Sequence, residues 1–309
     1  MLRKPPALRD GDRVAIVAPA SPFDRDRFER GVAELRHLGF EPVFDERVFE
    51  RQAYVAGSAT ARAEGFRAAW RDPSVAALVA ARGGYGSAQL LPLLDPAELR
   101  QRPKALVASS DVTALLTFLT IQCGVVGFHG PMVVTLADGR QGYDRGSLLG
   151  HLSQPRACGP LPADDGVEVL QRGRARGRLL GGTLTQLVGS FGTPFPFDPP
   201  PGFVLLLDDV GERPYRLDRM LTQMRQAGVL SRAAAVVCSE FPDCAEPGGD
   251  LDARAVLAGV RADVDGPVLF GVPTGHTRGR PVVTLPLGVE VTIDTAAPGR
   301  LIVEEAAVA

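Results

Sequence analysis

Four short stretches of this chain place the residue types of hydrolytic chemistry directly after apolar runs. The first is Ser109-Ser110-Asp111-Val112-Thr113, which follows Ala105-Leu106-Val107-Ala108 and leads into a helical pattern from Asp111 to Ile121. A sharp strand-to-helix turn presents a serine hydroxyl to solvent and leaves the amide after it free for a developing oxyanion. A serine that merely caps the helix explains the same residues. The second glycine of G-x-S-x-G is missing, so this is not the usual α/β-hydrolase elbow. The second stretch, Arg82-Gly83-Gly84-Tyr85-Gly86-Ser87, brings backbone N–H groups close to a ligand without side-chain obstruction. It fits a phosphate cradle, a second oxyanion donor or a plain tight turn, and matches neither G-x-G-x-x-G nor a Walker A loop.

The third stretch ends the apolar run Leu205-Leu206-Leu207 in two carboxylates, Asp208 and Asp209, followed by Val210-Gly211-Glu212. One acid at a strand end is readily a helix cap; two in succession suggest a crevice. The fourth, Pro273-Thr274-Gly275-His276-Thr277, offers an imidazole in an accessible loop. Three other histidines compete with it. His37 belongs to a polar stretch of an amphipathic helix and His151 lies near a connecting segment, so both read as exposed. His129, in Gly127-Phe128-His129-Gly130-Pro131, ends a strand and is a genuine rival. A serine becomes nucleophilic when a positioned imidazole removes its proton and an acid fixes that imidazole's tautomer. All these parts are present, each after a strand.

The elements that must position them alternate. Val14 to Ala18, Val43-Phe44, Val75 to Ala81 and Ala105 to Ala108 read as strands, with helices near Phe28 to Leu35, Arg62 to Trp70 and Leu90 to Leu94 between them. This alternation predicts a parallel sheet covered on both faces. From residue 136 to 176 the pattern dissolves into Gly, Pro, Arg and Asp and reads as a connection with little regular structure. Strands at Phe203 to Leu207, Ala234 to Cys238 and Val268 to Gly271 follow. The short runs at Val282 to Leu285, Val289 to Ile293 and Leu301 to Val303 suggest antiparallel structure.

At 309 residues the chain is long enough for two domains. A net charge of −2 gives no basic field for nucleic acid or an anionic membrane. Cys123, Cys158, Cys238 and Cys244 have no metal-ligand spacing, so no metal or other cofactor is expected. The first apolar run is too short for a signal-peptide core or a membrane span, which reads as cytoplasmic.

Taken in order, the motifs resemble the LD-carboxypeptidase family, which includes microcin-immunity serine peptidases. The likeness runs through Val14 to Pro22, Ala81 to Gly86, Ser110-Asp111-Val112-Thr113, His129-Gly130-Pro131-Met132, Gly177 to Gly182, Asp209 to Glu212, Pro214 to Arg219, Gly275-His276 and Thr284 to Gly288. The resemblance implies an α/β architecture: a flavodoxin-like N-terminal domain (1–135) carrying the nucleophile, the connection (136–176), and a smaller C-terminal domain (177–309) with β-barrel character. It implies Ser110 as nucleophile, His276 as base, and the amides of Gly84 and Asp111 as the oxyanion hole. Arg82, Tyr85 and Arg216 are its candidates for substrate binding. Asp208 stands where the family usually has glutamate, which makes Glu212 the fallback acid. Thr183 and Ala108 are further departures. The implied activity releases terminal D-alanine from murein tetrapeptides in peptidoglycan recycling by a cytoplasmic homodimer. Rival readings are a peptidase of aminoacyl-nucleotide conjugates, a phosphate- or flavin-binding module, and an inactive relative.

Overall fold

A computed structural model describes residues 2–162 and 164–309. Its strands are β1 (Arg13–Val17), β2 (Glu41–Val43), β3 (Val75–Ala80), β4 (Ala105–Ala108), β5 (Gly127–His129), β6 (Gly159–Pro160), β7 (Glu168–Gln171), β8 (Arg174–Thr183), β9 (Phe203–Asp208), β10 (Ala233–Cys238), β11 (Val268–Phe270), β12 (Leu285–Leu287), β13 (Glu290–Asp294) and β14 (Leu301–Val303).

The first sheet has the order β12-β5-β4-β3-β1-β2. Its five N-terminal strands are parallel and follow the flavodoxin-like 2-1-3-4-5 order. β3 and β4 are almost wholly buried apolar runs, as strands covered on both faces must be. The helix Arg25–His37 shows how local sequence sets the cover: the Asp24 carboxylate caps it by accepting from the Arg27 amide, and Phe28, Val32 and Leu35 line its inward face.

The second sheet runs β6-β14-β13-β8-β9-β10-β11-β7. β8, β9, β10 and β11 are parallel neighbours, with antiparallel strands on either side. β8 is shared. Its residues 174–178 pair with β13 and its residues 179–183 with β9. Among the described residues the pairings leave β6 and β7 as ends, so the sheet does not close into a barrel.

The stretch 136–176 departs from expectation. It holds the helix Arg145–Ser153, with the Asp144 carboxylate accepting from the Ser147 amide, and the strands β6 and β7. Its strands are short and at sheet ends, so their sequence carries no sustained alternation. His151, expected exposed, lies on that helix and is buried. The chain also crosses between the sheets in a way the sequence did not disclose: β12 pairs antiparallel with β5, placing Leu285 opposite His129.

Candidate active site

The motif residues sit at the C-terminal ends of parallel strands, where α/β sheets bind ligands. β3 leads into the Arg82–Gly86 loop, β4 into Ser109-Ser110, β9 ends on Asp208, β10 runs into Ser239 and β11 into the His276 loop. The two sheets meet along these ends. Thr113, in the helix after the serine, accepts at Oγ1 from the Thr183 amide at 3.0 Å. A Cβ on Gly182 would stand 2.6 Å from that same oxygen, so glycine at the end of β8 lets the halves close.

Ser110 has φ of +57°, a left-handed conformation rare for a residue with a side chain. The turn holds its hydroxyl away from the helix: Oγ lies 3.1 Å from His276 Nε2, across the junction. Ser109 is buried and makes no side-chain cap bond. The capping explanation of the serine pair therefore fails for both.

His276 Nδ1 lies 2.8 Å from Asp208 Oδ2, and the His276 backbone N–H donates to Asp208 Oδ1 at 3.0 Å. Asp208 reaches the imidazole despite its short side chain because the His276 backbone comes to it. Gly275 permits that approach, since a Cβ there would stand 2.4 Å from Asp208 Oδ2. The carboxylate is fully buried and also accepts from Ser239 Oγ at 2.7 Å and Thr183 Oγ1 at 3.3 Å. Burial opposes its ionisation, but the His276 imidazole, His129 and the Ser239 hydroxyl outweigh that and hold its pKa below the usual range. For His276, burial opposes the proton, and Asp208 with help from Asp209 more than offsets it, so its pKa is raised.

The neighbouring acid does different work. Asp209 Oδ2 accepts from the Thr185 amide at 2.9 Å and hydroxyl at 2.8 Å, tying β9 to the helix Leu184–Gly189. Burial pushes its pKa to about 6. Glu212 pairs with Arg216 at 3.5 Å and takes no part in the histidine's contacts.

The glycine loop packs directly on the serine. A Cβ on Gly83 would lie 2.9 Å from Ser110 Oγ and 3.3 Å from the Asp111 amide nitrogen. The Asp111 carboxylate anchors the loop's far end by accepting from the Ser87 amide at 2.8 Å. Ser21 fixes the near end, accepting from the Tyr85 amide at 3.0 Å and donating to Tyr54 O at 2.8 Å. Buried Arg62 joins three segments by donating to Gly57 O, Pro19 O and Gly86 O. Arg82 is exposed with one bond to Pro22 O, Tyr85 is half exposed, and Arg216, also exposed, rests on Tyr215 and Glu212. A cleft of about 390 Å³ opens beside His276, lined by Gly142, Asp243, Thr277 and Arg280 among others.

Sequence reasoning missed Ser239, whose hydroxyl holds Asp208. Ser239 was findable: it follows a buried strand in a parallel sheet, the position that supplies site residues in such folds.

With this geometry in place, comparison with known proteins is specific. Residues 14–130 match the family model described as LD-carboxypeptidase N-terminal domain, and residues 176–293 that of the LD-carboxypeptidase C-terminal domain. A Streptomyces coelicolor homologue named for carboxypeptidase activity is 36% identical over 297 residues, covering 95% of this chain and 94% of its own. The murein tetrapeptide carboxypeptidase of Pseudomonas aeruginosa is 31% identical over 272 residues, covering 85% and 88%. The crystal structure of a muramoyltetrapeptide carboxypeptidase from Oxalobacter formigenes superimposes with a TM-score of 0.81 at 28% identity, over 95% of this chain and 99% of that one. The chain therefore belongs to the LD-carboxypeptidase family of peptidases.

Proposed function

We propose that this protein is a serine-type LD-carboxypeptidase that releases terminal D-alanine from murein tetrapeptides. The single observation that carries the reading is the continuous line from Asp208 Oδ2 to His276 Nδ1 at 2.8 Å and from His276 Nε2 to Ser110 Oγ at 3.1 Å. In this reading His276 Nε2 takes the Ser110 proton as Oγ attacks the amide between the L-centre of the third residue and D-alanine. Asp208 keeps the imidazole in the Nδ1–H tautomer and stabilises the imidazolium. The amides of Gly84 and Asp111 receive the oxyanion. The imidazolium then protonates the departing amine of D-alanine, and a water, deprotonated by His276, hydrolyses the ester.

The close approach of Gly83 to Ser110, too tight for an added Cβ, supports the oxyanion assignment, because it sets the glycine loop beside the reacting oxygen. Arg82 and Tyr85 belong to that loop and are proposed to bind substrate; Arg216 is proposed with them as a ligand for the terminal carboxylate. The division into 1–135, 136–176 and 177–309, a homodimeric state and a cytoplasmic role in peptidoglycan recycling belong to the same proposal. Among the described residues no helix is long and apolar enough to cross a membrane.

The test is release of D-alanine from a murein tetrapeptide by the wild type and Ser110→Ala. Release by the wild type alone is the expected result. Equal release by both removes Ser110 from the mechanism, and no release by the wild type, beside an active family member, refutes the activity.

A further inference from the structure

The glycine loop that packs on Ser110 carries one half of an aromatic pair held open to solvent. Tyr85, on the loop, is 50% exposed, and Tyr54, from a separate turn, is 64% exposed. Their rings meet edge to face, with centroids 5.3 Å apart and planes at 73°. A lone exposed aromatic is ordinary, but two joined rings kept out of the core form an apolar patch with a use.

The backbone works to keep Tyr54 there. It stands at the tip of a two-residue turn, where the Gln52 amide donates to Val55 O at 2.9 Å and the Val55 amide to Gln52 O at 3.0 Å. Ala53 takes φ of +52° in that turn, left-handed backbone that alanine adopts only under constraint. The turn is fastened to the glycine loop. Ser21 bridges them by donating to Tyr54 O and accepting from the Tyr85 amide. A Cβ on Gly86 would stand 2.7 Å from Val55 Cγ1, so the loop touches the turn directly. Both rings therefore rest on a fixed base with their surfaces open, which lowers the ordering cost of binding a ligand.

We propose that Tyr54 and Tyr85 form a subsite for the muramyl pyranose of a murein stem, so that substrates which keep their sugar are preferred. This rests on the reading of the protein as a murein tetrapeptide carboxypeptidase. The stem itself gives two aromatic rings little to meet, since its residues are alanines, a glutamate and a charged third residue. Its sugar has what they need: C–H bonds across one face and hydroxyls around the edge, matching a tyrosine's ring and phenol. Two planes at 73° cannot sandwich a flat nucleobase, but they make a corner that a puckered ring can enter. The reach agrees. An extended stem spans about 3.5 Å per residue, which puts the sugar about 10 Å from the scissile amide. Tyr85 stands two residues, or about 7 Å of backbone, beyond the glycine that abuts Ser110, and its ring reaches further. Tyr54 thus sets specificity and touches none of the reacting atoms.

The test compares D-alanine release from a free tetrapeptide and from the same tetrapeptide on N-acetylmuramic acid. The wild type is expected to favour the muramyl form in kcat/KM by about tenfold, mainly through KM. In Tyr54→Ala the ratio should fall close to one. In Tyr54→Phe, which keeps the ring face, it should stay within about threefold of the wild type. No preference in the wild type overturns the proposal. So does a preference that survives in Tyr54→Ala, including one that survives an equal loss on both substrates. A wild type that releases no D-alanine from either refutes the proposed function, and saturation-transfer NMR of the muramyl tetrapeptide then decides the subsite. Transfer to the sugar protons in the wild type, absent in Tyr54→Ala, upholds it. No transfer to the sugar, or Tyr54-dependent transfer to adenosine monophosphate in its place, overturns it.

Discussion

The two arms of the site are built by different means. On the first sheet, the Ser110 hydroxyl is placed by backbone: one residue at φ of +57°, a glycine loop set close against its side chain, and little side-chain help. On the second, Asp208 and His276 are placed by a hydrogen-bond network, with Ser239, Thr183 and the His276 amide converging on the one buried Asp208 carboxylate. A backbone-placed group is sensitive to crowding. A group placed by a network is sensitive to charge and to lost partners.

That contrast makes measurable differences. Ser110→Ala and Asp208→Asn are each expected to lower kcat for D-alanine release by about 10⁴-fold or more. They should part in stability: urea unfolding should leave Ser110→Ala near the wild type, while Asp208→Asn disturbs the network. Equal stability losses would erase the contrast.

The next effect is electrostatic and confined to the second arm. Asp209 has a pKa raised by burial to about 6, above its ordinary value of 3.8. The folded state therefore holds its proton more tightly than the unfolded chain. The stability this contributes is complete below about pH 4 and is lost as pH rises through 6. In Asp209→Asn that loss is absent, so between pH 4 and pH 7 the variant should gain about 3 kcal/mol on the wild type. A constant difference across that range would sink the assignment.

Gly83→Ala tests the first arm by crowding. Its backbone is not in the left-handed region, so the added methyl acts through its contact with Ser110. A drop of about 10²-fold in kcat/KM is expected, with a small change in thermal midpoint. The smallest effect is Ser239→Ala, which removes one of the bonds to Asp208 and should cost about 1–2 kcal/mol in unfolding free energy. If Gly83→Ala proved harmless and Ser239→Ala abolished turnover, the arms would have to exchange descriptions.

The parallel strands were legible because β3, β4 and β9 are unbroken apolar runs bounded by turn residues, and the site residues follow such runs. Asp208 was legible as an acid at a strand end, yet its reach was not: the approach of the His276 backbone depends on Gly275 and on tertiary packing. His151 was misread because the stretch around it reads as a polar connection, whereas the Arg145–Ser153 helix turns Leu148, Gly150, His151 and Leu152 inward together. β6 and β7 were missed because a sheet's end strands need neither length nor alternation. Most hidden of all was β12, since three residues give no hint of which sheet they join.

That last strand has a bearing on biogenesis. β5 is completed on one side by β4, but its other neighbour, β12, is encoded far later, at Leu285–Leu287. During synthesis the sheet that carries Ser110 leaves the ribosome with an open edge, and the nascent chain keeps that edge unpaired until Leu285–Leu287 have been made. Truncation before residue 285 would expose a sticky strand beside His129 and is expected to give insoluble material, not a free-standing first half.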